Sequence, residues 1–454
     1  MTEPLIVAKF GGSSVGDSVA IKRSAQLACQ QNARLVCVSA TYGTTNTLLE
    51  LADHAIKNNH DETQKLLANL IEKHQKLSTE LGCIPLELEQ LDRLYDELRT
   101  LAQGISLLKE CSKKANDRLL SLGERLSSIL FTRAYKDAAN NDLIELFDVR
   151  NVMQTTSHFG KAVPLLDKLK DKAKEHFNFQ NPKTCYVTQG FIGQNEDGET
   201  TTLGRGGSDY SASLLGEVVG ASEIQIWTDV AGIATTDPRV CAKARSISEI
   251  TFKEAAEMAT FGAKVLHPTT LTPAKRAGIP VFVGSSFEPE KKGTWIKNQA
   301  DKKPLIRALT KRSDQSLVTI STPKMLAAHG FLANIFRVFE KHDISVDAIT
   351  TSEISVALTV HNDTFNNQKL LDDLAELGNV KVEKDLCLVS LIGNNINHTK
   401  GLANNIFKTL ADINIRMICQ GASVHNFCLI LNESEGDKAI KALHKFFIEK
   451  GDYH

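Results

Sequence analysis

Two short stretches concentrate groups able to hold a phosphate and a carboxylate. In the first, an apolar run at residues 5–10 carries Lys9 and breaks into Gly11, Gly12, Ser13, Ser14 and Val15. A strand feeding a glycine turn and then a helix leaves backbone N–H groups facing an anion, beside a helix start worth roughly half a positive charge. Lys9 adds a full charge at the same point. Neither G-x-x-x-x-G-K-[ST] nor G-x-G-x-x-G occurs here, so the common nucleotide loops do not account for the pattern. Its plainer reading is a turn after a buried strand.

The second stretch, residues 200–210, is rich in hydroxyls and glycines and opens a helix. Gly204, Gly206 and Gly207 let backbone approach a ligand, and the planar guanidinium of Arg205 offers paired donors that match a carboxylate. Asp209, at the helix start, reads equally as a capping residue or as a functional carboxylate. Three further segments suit polar ligands: residues 39–46 with Ser39 and Thr45, residues 227–232 with Thr228 and Asp229, and residues 261–268 with Lys264, Val265 and His267. Two of them follow strand ends, where open α/β sheets bind ligands. Glu124, on a helix, reads by itself as a solvated carboxylate. The thirteen histidines show no metal-ligand spacing, and His267 receives no role.

These groups need a scaffold. Apolar runs at residues 35–39, 143–149, 185–192, 224–228 and 280–284 alternate with amphipathic stretches, which predicts a layered α/β sheet. Residues 47–136 are charged and helical, with Pro85 as the interruption. Residues 298–304 have linker composition. Beyond them the chain repeats itself at an offset of roughly seventy residues: Gly330-Phe331-Leu332-Ala333-Asn334-Ile335-Phe336 is echoed by Gly401-Leu402-Ala403-Asn404-Asn405-Ile406-Phe407. Two β-α-β-β-α modules are expected. The second runs short of a strand, which residues 305–309 are expected to complete.

A chain of 454 residues exceeds one core, so two or three domains are expected. With 53 basic and 54 acidic residues there is no global field to draw nucleic acid or an anionic membrane. Nine scattered cysteines without a C-x-x-C pair point to a reducing compartment, and the absence of a long apolar run or signal-like start predicts a cytoplasmic protein.

Taken together, the motifs at 9–15, 202–209, 227–230, 235–239 and 261–268 resemble, in order, the signatures of the aspartokinases in the amino-acid kinase family. The resemblance covers the whole chain, and residues 345–353 are similar to the lysine-sensitive branch. It implies an amino-acid kinase domain over residues 1–297, with a mainly parallel sheet between helices. Two ferredoxin-like ACT modules would follow at 298–385 and 386–454, the second completed from 304–310. It further implies transfer of phosphate from ATP, with Mg²⁺, to the β-carboxylate of L-aspartate, inhibition by L-lysine, and a homodimer or homotetramer built through the ACT modules. No protein cage for the metal is expected.

Carried over by position, the resemblance puts Lys9 and Lys264 on the phosphates with Asp209 holding both. Gly11 and Gly12 would supply N–H donors, and Thr228, Asp229, Arg239 and Val265 the nucleotide side. Arg205 would take the α-carboxylate of aspartate, Glu124 its ammonium, and Ser39 and Thr45 its side-chain end. Met325, Phe331, Leu332, Ser345, Asp347, Ser352 and Glu353 would form the lysine pocket. One departure is Ala234, where relatives commonly place an aromatic residue. The competing readings are a kinase of the same fold acting on glutamate or acetylglutamate, and a non-catalytic sensor; a sensor need not keep Lys9, Glu124, Arg205, Asp209 and Lys264 together.

Overall fold

The computed structural model describes residues 4–263, 266, 268–326 and 329–450. The chain divides into two compact units, each described by itself. The first takes the residues up to Ile233, Ser246–Phe252 and the residues leading to Ala300; the second takes Ala234–Arg245, the stretch beginning at Lys253, and everything from Asp301 onward.

The first unit contains strands β1 (Ile6–Phe10), β2 (Ala33–Val38), β3 (Ile144–Phe147), β4 (Cys185–Gln189), β5 (Ile192–Gln194), β6 (Thr200–Thr202), β7 (Glu223–Thr228), β8 (Glu249–Thr251), β9 (Val281–Ser285) and β10 (Thr294–Lys297). Its helices are α1 (Ser18–Gln30), α2 (Thr44–Ile56), α3 (His60–Glu80), α4 (Pro85–Leu108), α5 (Lys113–Ala139), α6 (Leu166–His176) and α7 (Gly207–Val219); α8 (Phe252–Thr260) starts at a unit boundary, and α9 (Leu271–Ala277) follows. Eight strands form one sheet in the order β3-β4-β2-β1-β7-β9-β10-β8, parallel except where β10 meets β9. β1 and β2 are buried along their whole lengths, as central parallel strands covered on both faces must be. Register sets Phe10 against both Val38 and Trp227, so β1, β2 and β7 end side by side and their loops share one rim.

The helical excursion packs into the same core: Phe131 of α5 lies 5.3 Å from Phe10, ring to ring. Pro85 does not interrupt a helix but begins one, at the position where its missing N–H costs nothing, with Glu87 closing a capping bond to Ile84.

In the second unit, β11 (Ile306–Ser321), β12 (Ala348–Thr351), β13 (Ser355–His361), β14 (Asn379–Gly393), β15 (Ile415–Cys419) and β16 (Asn426–Asn432) make one sheet, ordered β12-β13-β11-β14-β16-β15. The helices are α10 (Phe331–Lys341), α11 (Gln368–Ala375), α12 (Leu402–Thr409) and α13 (Glu433–His444). β11 and β14 are long antiparallel partners, each broken near its middle by a residue at positive φ, Asp314 and Asp385. One half of each serves α10 and α11, around Ile335, Phe339, Val318 and Val360; the other serves α12 and α13, around Ile406, Leu443, Leu309 and Leu391. Ile306 and Leu309 pair with the end of β14 and so supply a strand to the second repeat. The ends of the sheet order touch, since the Thr350 hydroxyl donates to the Ile418 carbonyl at 3.2 Å. Among the described residues, no helix is long and apolar enough to cross a membrane.

Candidate active site

Lys9 is the fourth residue of a fully buried strand and is 7 % exposed. Its ammonium needs a counter-charge, and α7 brings one. Gly190, just past β4, has no side chain; a Cβ there would lie 2.7 Å from Cβ of Ser208. That gap admits the first turn of α7, and Asp209 Oδ1 comes to 2.5 Å from Lys9 Nζ. The N-cap of α7 is Gly206, so Asp209 does not cap the helix.

The glycine turn is used differently from the expectation. The Gly11 N–H donates to the Trp227 carbonyl at 3.1 Å, because β1 and β7 end in register, and it is therefore no free donor. Gly12 and Ser13 open a 3₁₀ turn, Gly12–Val15, whose first N–H groups have no acceptor within the turn. A Cβ on Gly12 would stand 3.1 Å from the Ala40 carbonyl, so the close approach of the β2 loop requires glycine here.

Glu124 is not solvated but buried, 3 % exposed. Gly123 lets α5 press on the β2 loop, where a Cβ would be 2.8 Å from that of Ala40. Glu124 Oε1 accepts the Ala40 N–H at 3.2 Å, while Oε2 is buried with no hydrogen-bond partner. Burial pushes its carboxyl up to about 8, against the opposing pull of the Ala40 N–H and of Lys9. Cys37 on β2 marks the meeting point. Burial lifts its thiol to about 12, and the charges acting on it are Lys9, Asp209 and Glu124.

Arg205 is exposed, held between Gly204 at φ 76° and Gly206 at φ 73°, a left-handed pair that only glycine adopts without strain. Its loop is tied down from α5 by Asp117, which the sequence reading missed. This buried carboxylate accepts the N–H groups of Gly160 and Thr202, each at 2.8 Å on Oδ2, and the Thr202 hydroxyl at 2.8 Å on Oδ1. Its place seven residues before Glu124, on the same side of a helix, was the available signal.

Ser39 and Thr45 flank the loop after β2, both half-buried, with Thr45 in the first turn of α2. That loop leans on α3. Lys73 donates to the Tyr42 carbonyl at 2.7 Å, and the Thr41 hydroxyl bonds Thr44 at 2.6 Å and His74 Nε2 at 3.3 Å. His74 is fully buried and burial lowers its pKa to about 4; neutral, it donates from Nδ1 to the Leu70 carbonyl and accepts at Nε2.

On the side expected for nucleotide, the Thr228 hydroxyl at the end of β7 donates to Asp229 at 3.1 Å, with Thr228 half-buried and Asp229 exposed. Arg239 belongs to the second unit and forks onto Asp237, Nη2 to Oδ2 at 2.7 Å. Ala234 is half-buried at the start of that segment. Lys264, Val265 and His267 lie outside the described residues.

The seven residues expected around lysine do not converge within one chain. Asp347 precedes β12 and is bound by Arg312 at 2.8 Å, with its other oxygen buried and unpartnered. Burial nonetheless holds its carboxyl above the usual range, with Arg312 opposing. Ser352 and Glu353 sit in the turn beyond the other end of β12, five residues on, or roughly 16 Å of extended chain. Ser345 is exposed before the strand. Met325 and Phe331 pack at the rim of the α10 core, and Leu332 is exposed. The Thr322 N–H donates to the Ile354 carbonyl, which places the segment before Met325 beside the Glu353 turn rather than beside Asp347.

The model of the amino acid kinase family matches residues 4–285, and an ACT domain model matches residues 389–447. Lysine-sensitive aspartokinase 3 of Escherichia coli is 43% identical over 453 residues, covering 98% of this chain and 99% of the relative. A crystal structure of E. coli aspartokinase III in complex with aspartate and ADP matches with a TM-score of 0.85 at 43% identity, over 97% of this chain and 99% of that one. Its complex with lysine and aspartate matches at 0.82 and 42% identity, over 98% and 99%. With a family model spanning more than half its length and a relative alike from end to end, the chain belongs to the amino acid kinase family and, within it, to the aspartokinases.

Proposed function

We propose that this chain transfers the γ-phosphoryl group of ATP to the β-carboxylate of L-aspartate, giving ADP and 4-phospho-L-aspartate, under feedback inhibition by L-lysine. It is an aspartate kinase. The observation that carries the site reading is Glu124 Oε2: a carboxylate oxygen buried without a partner, close enough to Lys9 to feel its charge. An ammonium ion supplies what it lacks. In this reading Glu124 takes the substrate ammonium and Arg205 the α-carboxylate, while Ser39 and Thr45 orient the side-chain end. Opposite charges then read the two ends of one amino acid.

The β-carboxylate, with a solution pKa near ~4, is ionised at neutral pH and needs no general base. One of its oxygens forms the new bond to phosphorus as the bond to the ADP oxygen breaks. Two anions must be held in line, which positioning and positive charge accomplish. Lys9, kept in place by Asp209, and the N–H groups at Gly12 and Ser13 fill that role. Lys264 and Val265 are assigned to the nucleotide by position in the motif, as are Thr228, Asp229 and Arg239.

Mg²⁺ fits this donor set as an ion held by phosphate oxygens and water, because Asp209 is committed to Lys9 and Asp229 to a hydroxyl. When bound it offsets phosphate charge. A catalytic domain over 1–297 followed by ACT modules at 298–385 and 386–454, a homodimer or homotetramer formed through those modules, and a cytoplasmic location complete the proposal. The wide separation of Asp347 from Ser352 and Glu353 favours a lysine site shared with a second copy. One assay tests the whole: phosphorylation of aspartate against glutamate with ATP and Mg²⁺, with and without lysine and threonine. Turnover of glutamate in preference to aspartate, or none of either, overturns it.

A further inference from the structure

Two cysteines on the regulatory sheet stand directly opposite one another. β15 and β16 run antiparallel with Cys419 facing Cys428 in register. Both project from the same side of the sheet: Cys428 lies in the apolar cluster with Leu317, Leu388, Met417 and Ile430, and Cys419 packs against it. Directly opposed antiparallel residues have Cα atoms roughly 4.5 or 5.5 Å apart, and both spacings fall inside the ~4.4–6.8 Å that a disulfide spans. Their Cβ atoms, roughly 4.5–5.5 Å apart, need to close by at most about an ångström. All nine cysteines are free thiols, and this pair has the sheet itself holding it opposed.

Each thiol now faces another neighbour. Cys419 Sγ lies 3.6 Å from the Ile349 carbonyl and 3.5 Å from the Thr350 hydroxyl, both on β12. Cys428 Sγ reaches the Ser390 hydroxyl at 3.4 Å. We propose that Cys419 and Cys428 are a redox pair that closes into a cross-strand disulfide and, in closing, withdraws Cys419 from β12.

The chemistry is thiol–disulfide exchange with oxidised glutathione as the class of oxidant. Cys419, the half-buried partner on β15, loses its proton and attacks one glutathione sulfur; the glutathione S–S bond breaks and the first glutathione thiolate leaves. Cys428 then loses its proton and attacks the Cys419 sulfur of the mixed disulfide, releasing the second. The two protons end on the two glutathione thiols, the protein is oxidised by two electrons and glutathione is reduced by two. Cys428, buried where Cys419 is half-buried, is screened from glutathione and acts in the second, intramolecular step.

β12 is the strand between Asp347 and the Ser352–Glu353 turn. Loss of its contact with Cys419 therefore acts on the segment assigned to lysine, and this consequence rests on the regulatory reading above. Oxidised protein is expected to need at least about five times more lysine for half inhibition, the low end of coupling between distinct sites.

The test treats the full chain with oxidised glutathione and maps disulfides by mass spectrometry. The expected product links the peptides of Cys419 and Cys428 and is lighter by two hydrogens; it is absent from Cys419→Ser and Cys428→Ser, and reductant reverses it. Failure to link these residues while other cysteines become glutathionylated overturns the pair. Lysine titration of the linked protein then decides its consequence: an unchanged midpoint overturns the regulatory role while the disulfide stands. Reduced wild type that phosphorylates aspartate but ignores lysine would instead fault the lysine reading, leaving the cross-link to be judged by the mass map alone.

Discussion

Asp117 and Glu124 stand two turns apart on α5, both buried carboxylates, and one fastens the loop of Arg205 while the other keeps an oxygen open beside Lys9. A single helix thereby sets the separation between the guanidinium and the carboxylate proposed to read opposite ends of the substrate. Rigid elements place such groups better than loops do.

Glu124→Gln is expected to stabilise the free protein and damage its activity. Its folded pKa, about 8, lies above the ordinary value of 4.5, so the folded state holds the proton more tightly and stability falls as pH rises through that window. Ionised at pH 8.5 with Oε2 unpartnered, Glu124 costs on the order of a few kcal/mol. The variant should melt higher than wild type at pH 8.5 and about equally at pH 4, by calorimetry without ligand. It should lose about 10- to 100-fold in kcat/KM for aspartate, the worth of a charged hydrogen bond.

For Asp117, truncation and isosteric change should separate. Asp117→Ala strands the buried N–H groups of Gly160 and Thr202, at about 1–3 kcal/mol each. Asp117→Asn keeps an acceptor. Aspartate KM should rise in the alanine variant with ATP KM little changed, and return toward wild type in asparagine; equal effects on both substrates would point to general unfolding instead.

Lys9 and Asp209 should behave as a coupled pair. Lys9→Met leaves a partly buried carboxylate without its counter-charge and should cost about 3–5 kcal/mol of stability, whereas Lys9→Met with Asp209→Asn should cost less than the sum of the singles. Denaturant melts of the four proteins give the coupling. Activity should be lost in all three variants.

Ala234→Tyr should lower the KM for ATP if an adenine stack is what this position lacks. An unchanged value would remove that idea. Steady-state kinetics at saturating aspartate suffice.

Asp347→Ala should keep turnover and lose lysine inhibition. The same substitution frees Arg312 from its one acidic partner among the described residues, so Arg312→Gln is the control: inhibition lost in both would trace the effect to the pair rather than to the carboxylate. Dose–response curves for lysine read this directly.

Much of this protein is legible in its sequence. The alternation of apolar runs set the α/β class, the echo of Gly330 in Gly401 set a paired module, and the glycine clusters at 11–12 and 204–207 marked the loops. These are local properties, written in period and composition. What only the tertiary structure decided were matters of partner and environment. Glu124 has the sequence surroundings of a surface residue and becomes a buried, half-satisfied carboxylate because Gly123 lets α5 sink against Ala40. Gly11 offers a donor in the sequence and spends it on Trp227, since β7, two hundred residues away, ends beside β1. Whether a polar group is free or taken depends on which distant strand arrives next to it, and chain order does not record that.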